Sequence, residues 1–510
     1  MPGSGYRVRA HKEIPAGLLP LGSDPLSEHL IALIKTGRHQ GQPGFHSNSR
    51  GKPSQVEKEA GCSVLTAPRQ DGIIRIRTEI ELRPIQPSLF YGTKDMNKSH
   101  LLLPVLCCGL FNLAGCRSGS PDFEGIREFL DSTADAVVLQ GENGSKIIVS
   151  PRLQGRIMTA RVGNVESTGL VPRKTIEEGE SHDHFNNFGG LDRFWIGPEA
   201  GQYGVYFPPG AKELTRENWQ VPAAFDKGAF DVKEKQADRI SLHREMEVTN
   251  LRGVTFQVNV TREIGLIPSA ELGTELGIQL PAGISYLGCY SDNQLQNTGK
   301  TDWDPASGLI GIWILGMINA SDEAVVIAPF KTSAEDGKSP YNDNYFGKVG
   351  ENRLKVIDNA VIFRGDARKV GKFGLSQQRT TGLTGSFDFG KNLLTVVRFS
   401  VPETMERYGN SSWQVNQEKP YGGDVFQSYN NGGDDTTEVA ADAFFELESA
   451  SPVRALKQGE SISHRHATFH FQGSREELEK LAGKLLGVSL EKIQEAMWPP
   501  PPDGPRPAGS

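Results

Sequence analysis

Between residues 137 and 472 the chain is a succession of short apolar or alternating runs cut by Gly, Pro, Asn and Asp. GVYF, ISLHREMEVTN, VTFQVNVTREIGLI, GLIGIWILGMI, NLLTVVRFSV, FFELES and HATFHFQG all have strand length. Val254, Phe256, Val258 and Val260 alternate with polar residues, which predicts a strand with one buried face. Arg353–Phe363 alternates less cleanly and reads as one further strand. Helical periodicity is nearly absent from this span, and no period of about 20–50 residues suggests a propeller or solenoid. The pattern predicts a large all-β antiparallel sandwich.

Helices are expected only at its margins. Phe123, Ile126 and Phe129–Leu130 fall at helical spacing after Pro121–Asp122, a plausible start. Near the other end, Ser474 and Glu477 form a capping box, and Leu478, Leu481, Leu485 and Leu486 share a face. Gly487 ends that helix, a second short one spans 489–497, and the proline-rich tail 498–510 reads as disordered.

The first 95 residues are rich in Gly, Pro, Ser, Arg and His and poor in periodicity. Only Leu30–Ile34 and Ile73–Ile80 break that pattern, and a lone strand buries too little to offset its ordering entropy, so this region is expected to be largely disordered. Met96 then opens a secretion-type segment. Lys98 supplies the positive start, Leu101–Phe111 the apolar centre, and Leu113-Ala114-Gly115-Cys116 the ending. That ending resembles the bacterial lipobox, which makes Cys116 the lipidated first residue of the mature chain. The alternative is a buried core helix, which Pro104 and the adjacent Cys107 and Cys108 disfavour. A signal at 96–115 implies that translation starts at Met96 and that 1–95 is an over-called upstream extension. The expected organisation is therefore 1–95 extension, 96–115 signal peptide, 116–134 tether and short helix, 135–497 sandwich domain, and 498–510 tail.

Charge narrows the partners. The net charge of −7 divides into +5 over residues 1–115 and −12 over the rest. An acidic body argues against nucleic acid, which needs clustered positive charge. The five cysteines contain no CxxC pair, and only Cys289 lies in the predicted sandwich, so no disulfide framework is expected.

Chemistry concentrates in His182–Phe207, HDHFNNFGGLDRFWIGPEAGQYGVYF. His182, His184, Asn187, Asp192, Arg193, Trp195, Glu199 and Gln202 stand there among glycines. Amide, acid and base groups give directional hydrogen bonds, and a tryptophan gives a flat apolar face. Together they suit a polar ring such as a sugar. The bland alternative is a polar turn with Asp192–Arg193 as a structural ion pair. The Asp/Asn clusters at 341–354 and 421–452 lack regular calcium-loop spacing and read as turns rather than metal sites. His464 and His466 share a strand face, more simply a polar face than a metal site. Glu446 and Glu448 also share a face, either outward and solvated or inward on a concave sheet, where desolvation would make a general base. Trp195, Trp219, Trp303 and Trp413 are candidate stacking platforms, whereas Trp313 in GLIGIWILGMI reads as core.

These motifs in order resemble a known superfamily. PRLQGRIMTARV, the GG-x-x-R-x-W-x-GP pattern in FNNFGGLDRFWIGPEAGQ, and FFELES followed by HATFHF resemble the galactose mutarotase-like, aldose 1-epimerase-related proteins. DRFWIGPEAGQ, DNYFGK, GDVFQSYNNG and ELESASP are similar to an uncharacterised bacterial family of secreted mutarotase-like proteins, the DUF6786 type. The resemblance spans roughly residues 135–490. It implies a β-supersandwich with a concave sugar-binding face. Glu448 would be the base, His182 or His184 the acid, and Arg193 the group that orients the sugar. A second histidine motif and a downstream Asp of true epimerases have no counterpart here, and Ser449-Ala450 stand where those enzymes have Gln.

The resulting expectation is a lipid-anchored protein of the bacterial cell envelope, on the periplasmic side or outer membrane. It would bind carbohydrate through Arg193, Trp195, Glu199, Asp192, Asn187 and Gln202 and interconvert sugar anomers without metal or cofactor. The competing expectations are glycan capture without chemistry and polysaccharide cleavage on the same fold.

Overall fold

The computed structural model describes residues 122–332, 339–433, 439 and 442–499, together with the backbone of three earlier strands. The chain divides into two units, 1–114 and 115–510. In the first, β1 (Arg9–Pro15), β2 (Val64–Leu65) and β3 (Ile73–Glu79) form an antiparallel sheet in the order β1-β3-β2. The run singled out at Ile73–Ile80 is thus β3, paired from Arg9↔Glu79 to Pro15↔Ile73. The signal segment, Cys116, the tether and the tail beyond residue 499 lie outside the described residues.

The second unit begins with the helix Phe123–Ala134, whose first turn is capped by Asp122 accepting from Gly125 N at 2.8 Å. Its strands follow in chain order: β4 (Val137–Gln140), β5 (Lys146–Ser150), β6 (Arg156–Arg161), β7 (Arg193–Gly197), β8 (Asp231–Lys235), β9 (Arg239–Thr249), β10 (Thr255–Ile267), β11 (Ser285–Asn297), β12 (Gly311–Asn319), β13 (Ala324–Pro329) and β14 (Leu354–Ile357). Then come β15 (Ala360–Arg364), β16 (Gly371–Leu375), β17 (Leu383–Asp388), β18 (Leu393–Phe399), β19 (Phe426–Asn430), β20 (Phe444–Ala450) and β21 (Ser461–Gln472). Every paired neighbour is antiparallel within a ten-stranded sheet β14-β15-β13-β17-β18-β21-β11-β10-β9-β8, a five-stranded sheet β16-β19-β20-β12-β7 and a small sheet β4-β5-β6. The expected all-β sandwich is what the chain forms.

Alternation builds the layers. Phe256, Val258, Val260, Arg262 and Ile264 of β10 point inward, and Gln257, Asn259, Thr261 and Glu263 between them point out. That inner face meets Phe445 and Leu447 of β20, and Phe194 and Ile196 of β7, in one apolar core. The other face of the ten-stranded sheet carries Phe387, Val396, Phe469 and Phe471, roofed by the helices Arg475–Leu486 and Leu490–Met497 through Leu478, Leu481, Leu486 and Ile493. The predicted capping box supplies the first helix's start, with Glu477 N donating to Ser474 Oγ at 3.3 Å. One expectation needs correction: Arg353–Phe363 is not one strand but the hairpin β14–β15. Asp358, at φ 50°, makes a left-handed turn that no continuous strand contains.

β12 and β20 are buried along nearly their whole length on both faces. One face is closed by the large sheet. Among the described residues the other is covered by loops 182–221, 341–350 and 410–417, which leave the pocket described next.

Candidate functional site

The five-stranded sheet sets the floor. Register aligns Arg193 of β7 with Leu315 of β12 and Glu448 of β20, and Glu446 lies opposite Met317. Residues two apart on a strand share a face, so Arg193 and Trp195, Trp313, Leu315 and Met317, and Phe444, Glu446 and Glu448 all face away from the large sheet. Ahead of β7 the chain makes a tight turn at Gly189–Gly190, with φ of 71° and 105°. A Cβ on Gly189 would collide with the Leu170 carbonyl, so only glycine lets β7 enter at this place.

The floor carries two crossed ion pairs. Arg193 Nη2 donates to Glu446 Oε1 at 2.6 Å, and Lys372 Nζ, from β16 at the opposite sheet edge, donates to Glu448 Oε2 at 2.9 Å. All four side chains are almost fully buried. Trp313 Nε1 adds a third bond to the site, to Glu448 Oε2 at 3.0 Å. The Arg193 guanidinium stacks 3.9 Å above the Trp195 ring, whose electron-rich face takes the place of an acceptor for its unbonded Nε and Nη1. Glu448 Oε1 is likewise buried without a partner.

Glu199 follows the Gly197–Pro198 cis peptide at the end of β7. Its Oε1 accepts from two indoles, Trp219 Nε1 at 3.0 Å and Trp413 Nε1 at 3.3 Å. Burial raises its pKa, opposed mainly by the charge of Lys372. Burial also pushes Glu446 up to about 7, against the pull of Arg193 and with the push of Glu448.

Above this floor opens a cavity of about 450 Å³, within the range of small-molecule sites. Its walls are rings: Phe185, Trp195, Trp219, Trp313, Phe346, Trp413, Tyr429 and Phe444. Phe346 stands 38% exposed at the mouth, edge-on to Trp413 and Tyr429. Arg216 is an exposed cation at the rim. Two larger clefts, of about 700 and 750 Å³, open elsewhere. The first is lined by Arg398, Arg454 and Arg465, all of which already pair with carboxylates.

The residues singled out in the sequence divide accordingly. Arg193, Trp195, Glu199 and Asn187 line the cavity. Glu448 lies on the same face but fully buried beneath it, clamped by Lys372 and Trp313. His182 and His184 do not line it. His182 is exposed beside Glu178 at 3.3 Å, and His184 places Nδ1 2.8 Å from the Trp219 carbonyl, behind the wall. Asp192 faces the other way, since neighbours on a strand alternate. It pairs with Arg262 and accepts from Ser291 Oγ at 2.7 Å, so it neither pairs with Arg193 nor reaches the cavity. Gln202 braces the loop carrying Trp413, bonding Gln417 N at 2.9 Å and Gln417 O at 3.1 Å. His464 and His466 form a polar face that is buried between the sheets, joined through Ser449 Oγ at 2.7 and 2.8 Å. Trp303 packs edge-on to Phe256 in the core, whereas Trp313 is both buried and part of the cavity wall. Lys372 was missed, although a lysine between Gly371 and Phe373 in an apolar strand is the kind of buried charge that needs a partner. Among the described residues no group of three or more His, Cys, Asp or Glu could hold a metal ion, and no helix is long and apolar enough to cross a membrane.

Residues 121–497 match a family of unknown function, DUF6786, and the chain belongs to that family. Among solved structures it is similar to a putative aldose 1-epimerase from Escherichia coli K12, at 12% identity and a TM-score of 0.39, over 66% of this chain and 98% of that one. It is also similar to a galactose mutarotase-like protein from Lactobacillus casei ATCC 334, at 11% identity and a TM-score of 0.38, over 66% and 99%. A 4-alpha-glucanotransferase from Thermococcus litoralis shares 8% identity at a TM-score of 0.31, over 69% of this chain and 41% of that one. At such identities these likenesses assign no residue a role. No match was found among curated proteins.

Proposed function

We propose that the ring-walled cavity binds a carbohydrate and that, with a reducing sugar, its proton-transfer groups interconvert the two anomers. The observation that carries this reading is aromatic walls over a floor of carboxylates and cations. A pyranose offers apolar C–H faces to rings and hydroxyls to charged groups, so it meets both kinds of surface. The GG-x-x-R-x-W-x-GP resemblance points the same way.

The reaction asks little of the protein. A base takes the anomeric hydroxyl proton as the bond from the anomeric carbon to the ring oxygen breaks, and an acid protonates that oxygen. The open-chain aldehyde turns about its C1–C2 bond, and the same steps in reverse close the other anomer. Glu446 lines the cavity and suits the base role; Glu448, beneath it, holds Lys372 and Trp313 in place. Calorimetry against a panel of reducing mono- and disaccharides, with polarimetry on those that bind, tests this. Binding that weakens in Trp219→Ala is the expected result, and no binding across the panel ends the reading.

A second reading, glycan capture without chemistry, is favoured by the two ion pairs that already occupy Glu446 and Glu448. Sugar affinity with no acceleration of mutarotation selects it. We also propose that Cys116 carries the lipid that anchors the chain to the cell envelope. Several acyl chains on one residue suffice for stable attachment. Cys116→Ala is expected to move the protein from the membrane to the soluble fraction, and unchanged sedimentation with membranes rules the anchor out.

A further inference from the structure

Anomer interconversion needs two proton-transfer groups, and among the described residues no histidine lines the cavity. We propose that Glu199 is the second group, the proton donor that faces Glu446 across the bound sugar. This rests on the catalytic reading above and assigns the half of the chemistry that reading leaves open.

Among the described residues, Glu199 and Glu446 are the two carboxylates that line the cavity, and they come from different walls: the end of β7 and the middle of β20. Their surroundings differ in one respect. Glu446 touches a cation, Arg193 at 2.6 Å, which favours its ionised form and so the role of base. Among the described residues Glu199 has no cation in contact, and Lys372 acts on it only through its charge. Its Oε1 is held by two indole N–H groups, and among the described residues nothing bonds Oε2. A carboxyl so placed keeps one oxygen fixed and the other free to carry a proton toward a ligand. The floor also holds three carboxylates, Glu199, Glu446 and Glu448, against two buried cations, Arg193 and Lys372. Away from water the excess negative charge is costly, and a proton on Glu199 removes it. The titratable and charged groups that act on Glu199 are Lys372 on β16, Glu446 and Glu448 on β20, Tyr429 on β19, and Tyr206 and Tyr345 from the loops. Burial dominates them and raises its pKa, the direction a proton donor needs.

In the forward step the proton on Glu199 passes to the ring oxygen while Glu446 receives the anomeric hydroxyl proton. Closure returns both, so the enzyme ends as it began and nothing is oxidised or reduced.

Glu199→Gln keeps an oxygen for both indoles but carries no transferable proton. With a reducing sugar that the wild type turns over, kcat is expected to fall about 10²–10⁴-fold while sugar affinity is largely kept. The loss of activity as pH rises through the donor's pKa should vanish from the profile of the residual rate, and Glu199→Asp should restore part of kcat. A readout that needs no sugar is tryptophan emission against pH. Since Trp219 and Trp413 bond directly to this carboxyl, the wild type should show a transition that Glu199→Gln lacks. A Glu199→Gln variant with wild-type kcat and pH profile, or one that retains the emission transition, overturns the proposal and leaves Glu199 as an anchor for two indoles. A wild type that binds sugar without turnover overturns it together with the catalytic reading, while leaving the binding reading intact. A wild type that binds no sugar overturns all three.

Discussion

Asp192 and Arg193 are neighbours in the chain and stand on opposite sides of the five-stranded sheet, and the same is true of Glu448 and Ser449. Behind the sheet, facing the large one, Asp192 pairs with Arg262, which also donates to Asn293 Oδ1 and the Gly155 carbonyl, both at 2.8 Å. Ser449 joins His464 and His466. In front, Arg193, Glu446, Glu448 and Lys372 are just as polar, yet several of their atoms lack partners and a cavity lies over them. Both faces bury charge. What separates them is completeness beside open space: among the described residues the rear network is nearly closed, with His464 Nδ1 and His470 Nε2 left over, while the front one leaves Arg193 Nε and Nη1 and Glu448 Oε1 unbonded beneath a cavity. Polarity in a buried strand therefore does not mark a site; unfinished hydrogen bonding beside open space does.

The sharpest way to break this contrast is to open the rear network. Asp192→Ala leaves the Arg262 guanidinium buried without its counter-charge, a change that costs about 3–5 kcal/mol. Urea unfolding should show that loss. A variant as stable as the wild type would mean that the rear pair is replaceable and the distinction between faces is wrong.

The alternation that predicted the sandwich also told which residues share a face, and for that reason Glu446 and Glu448 were legible as a pair. Depth was not legible. Glu448 stands out by motif, but the structure places Glu446 at the surface of the cavity and Glu448 beneath it, because Lys372 arrives from a strand some 75 residues earlier. The densest polar stretch, 182–207, likewise misled at its start. His182 and His184 precede the Gly189–Gly190 turn, and only after that turn does the chain enter the sheet. A pattern along one segment carries the local period and the turn. It does not carry the crossing of Lys372 to Glu448, or the meeting of Trp219 and Trp413 on Glu199, since those depend on segments that only the tertiary fold brings together.

Acid distinguishes the faces by the sign of its effect. Behind the sheet, burial lowers His464 to about 3, His466 to about 4 and His470 to about 3, from an ordinary 6.5. The unfolded chain then binds more protons, so their contribution is complete above pH 6.5 and is lost as pH falls toward 4. At pH 5 the cost is about 2 kcal/mol for each histidine. The melting temperature should fall steeply across that window, and less steeply in His470→Gln. A melting temperature that is flat from pH 7 to 5 would show that these rings are not held neutral by the fold.

In front, Glu446 works in the opposite direction. Its folded pKa of about 7 stands above an unfolded value near 4.5, so the folded chain binds the extra proton between those values. Its charge therefore weakens the fold above pH 7, and acidification toward 4.5 relieves that cost. Glu446→Gln mimics the protonated form. The variant also takes the counter-charge from Arg193, so the sign is read from the slope: between pH 5 and pH 8 the stability of wild type should fall relative to that of Glu446→Gln, while the variant loses mutarotase activity. Equal pH slopes for variant and wild type would place Glu446 among the satisfied groups and make the front face resemble the rear.

The smallest effect tests whether the open face is open for a sugar. Trp413 and Trp303 are both tryptophans of the sandwich, but Trp303 is packed edge-on against Phe256 in the core, whereas Trp413 forms cavity wall between Phe207 and Phe346. Trp413→Phe keeps a ring in the wall and removes the indole N–H that reaches Glu199 at 3.3 Å. Trp413→Ala removes the ring as well. If the wall stacks on a sugar, affinity should hold nearly constant in the first variant and drop about tenfold in the second, a difference of about 1.4 kcal/mol. Trp303→Phe, in the core and away from the cavity lining, should leave affinity unchanged. Calorimetry on the three variants separates the outcomes. An equal loss in Trp413→Phe and Trp413→Ala would mean that the indole hydrogen bond, rather than the ring face, matters. A loss in Trp303→Phe as large as in Trp413→Ala would mean that binding reports on the fold as a whole and not on this cavity.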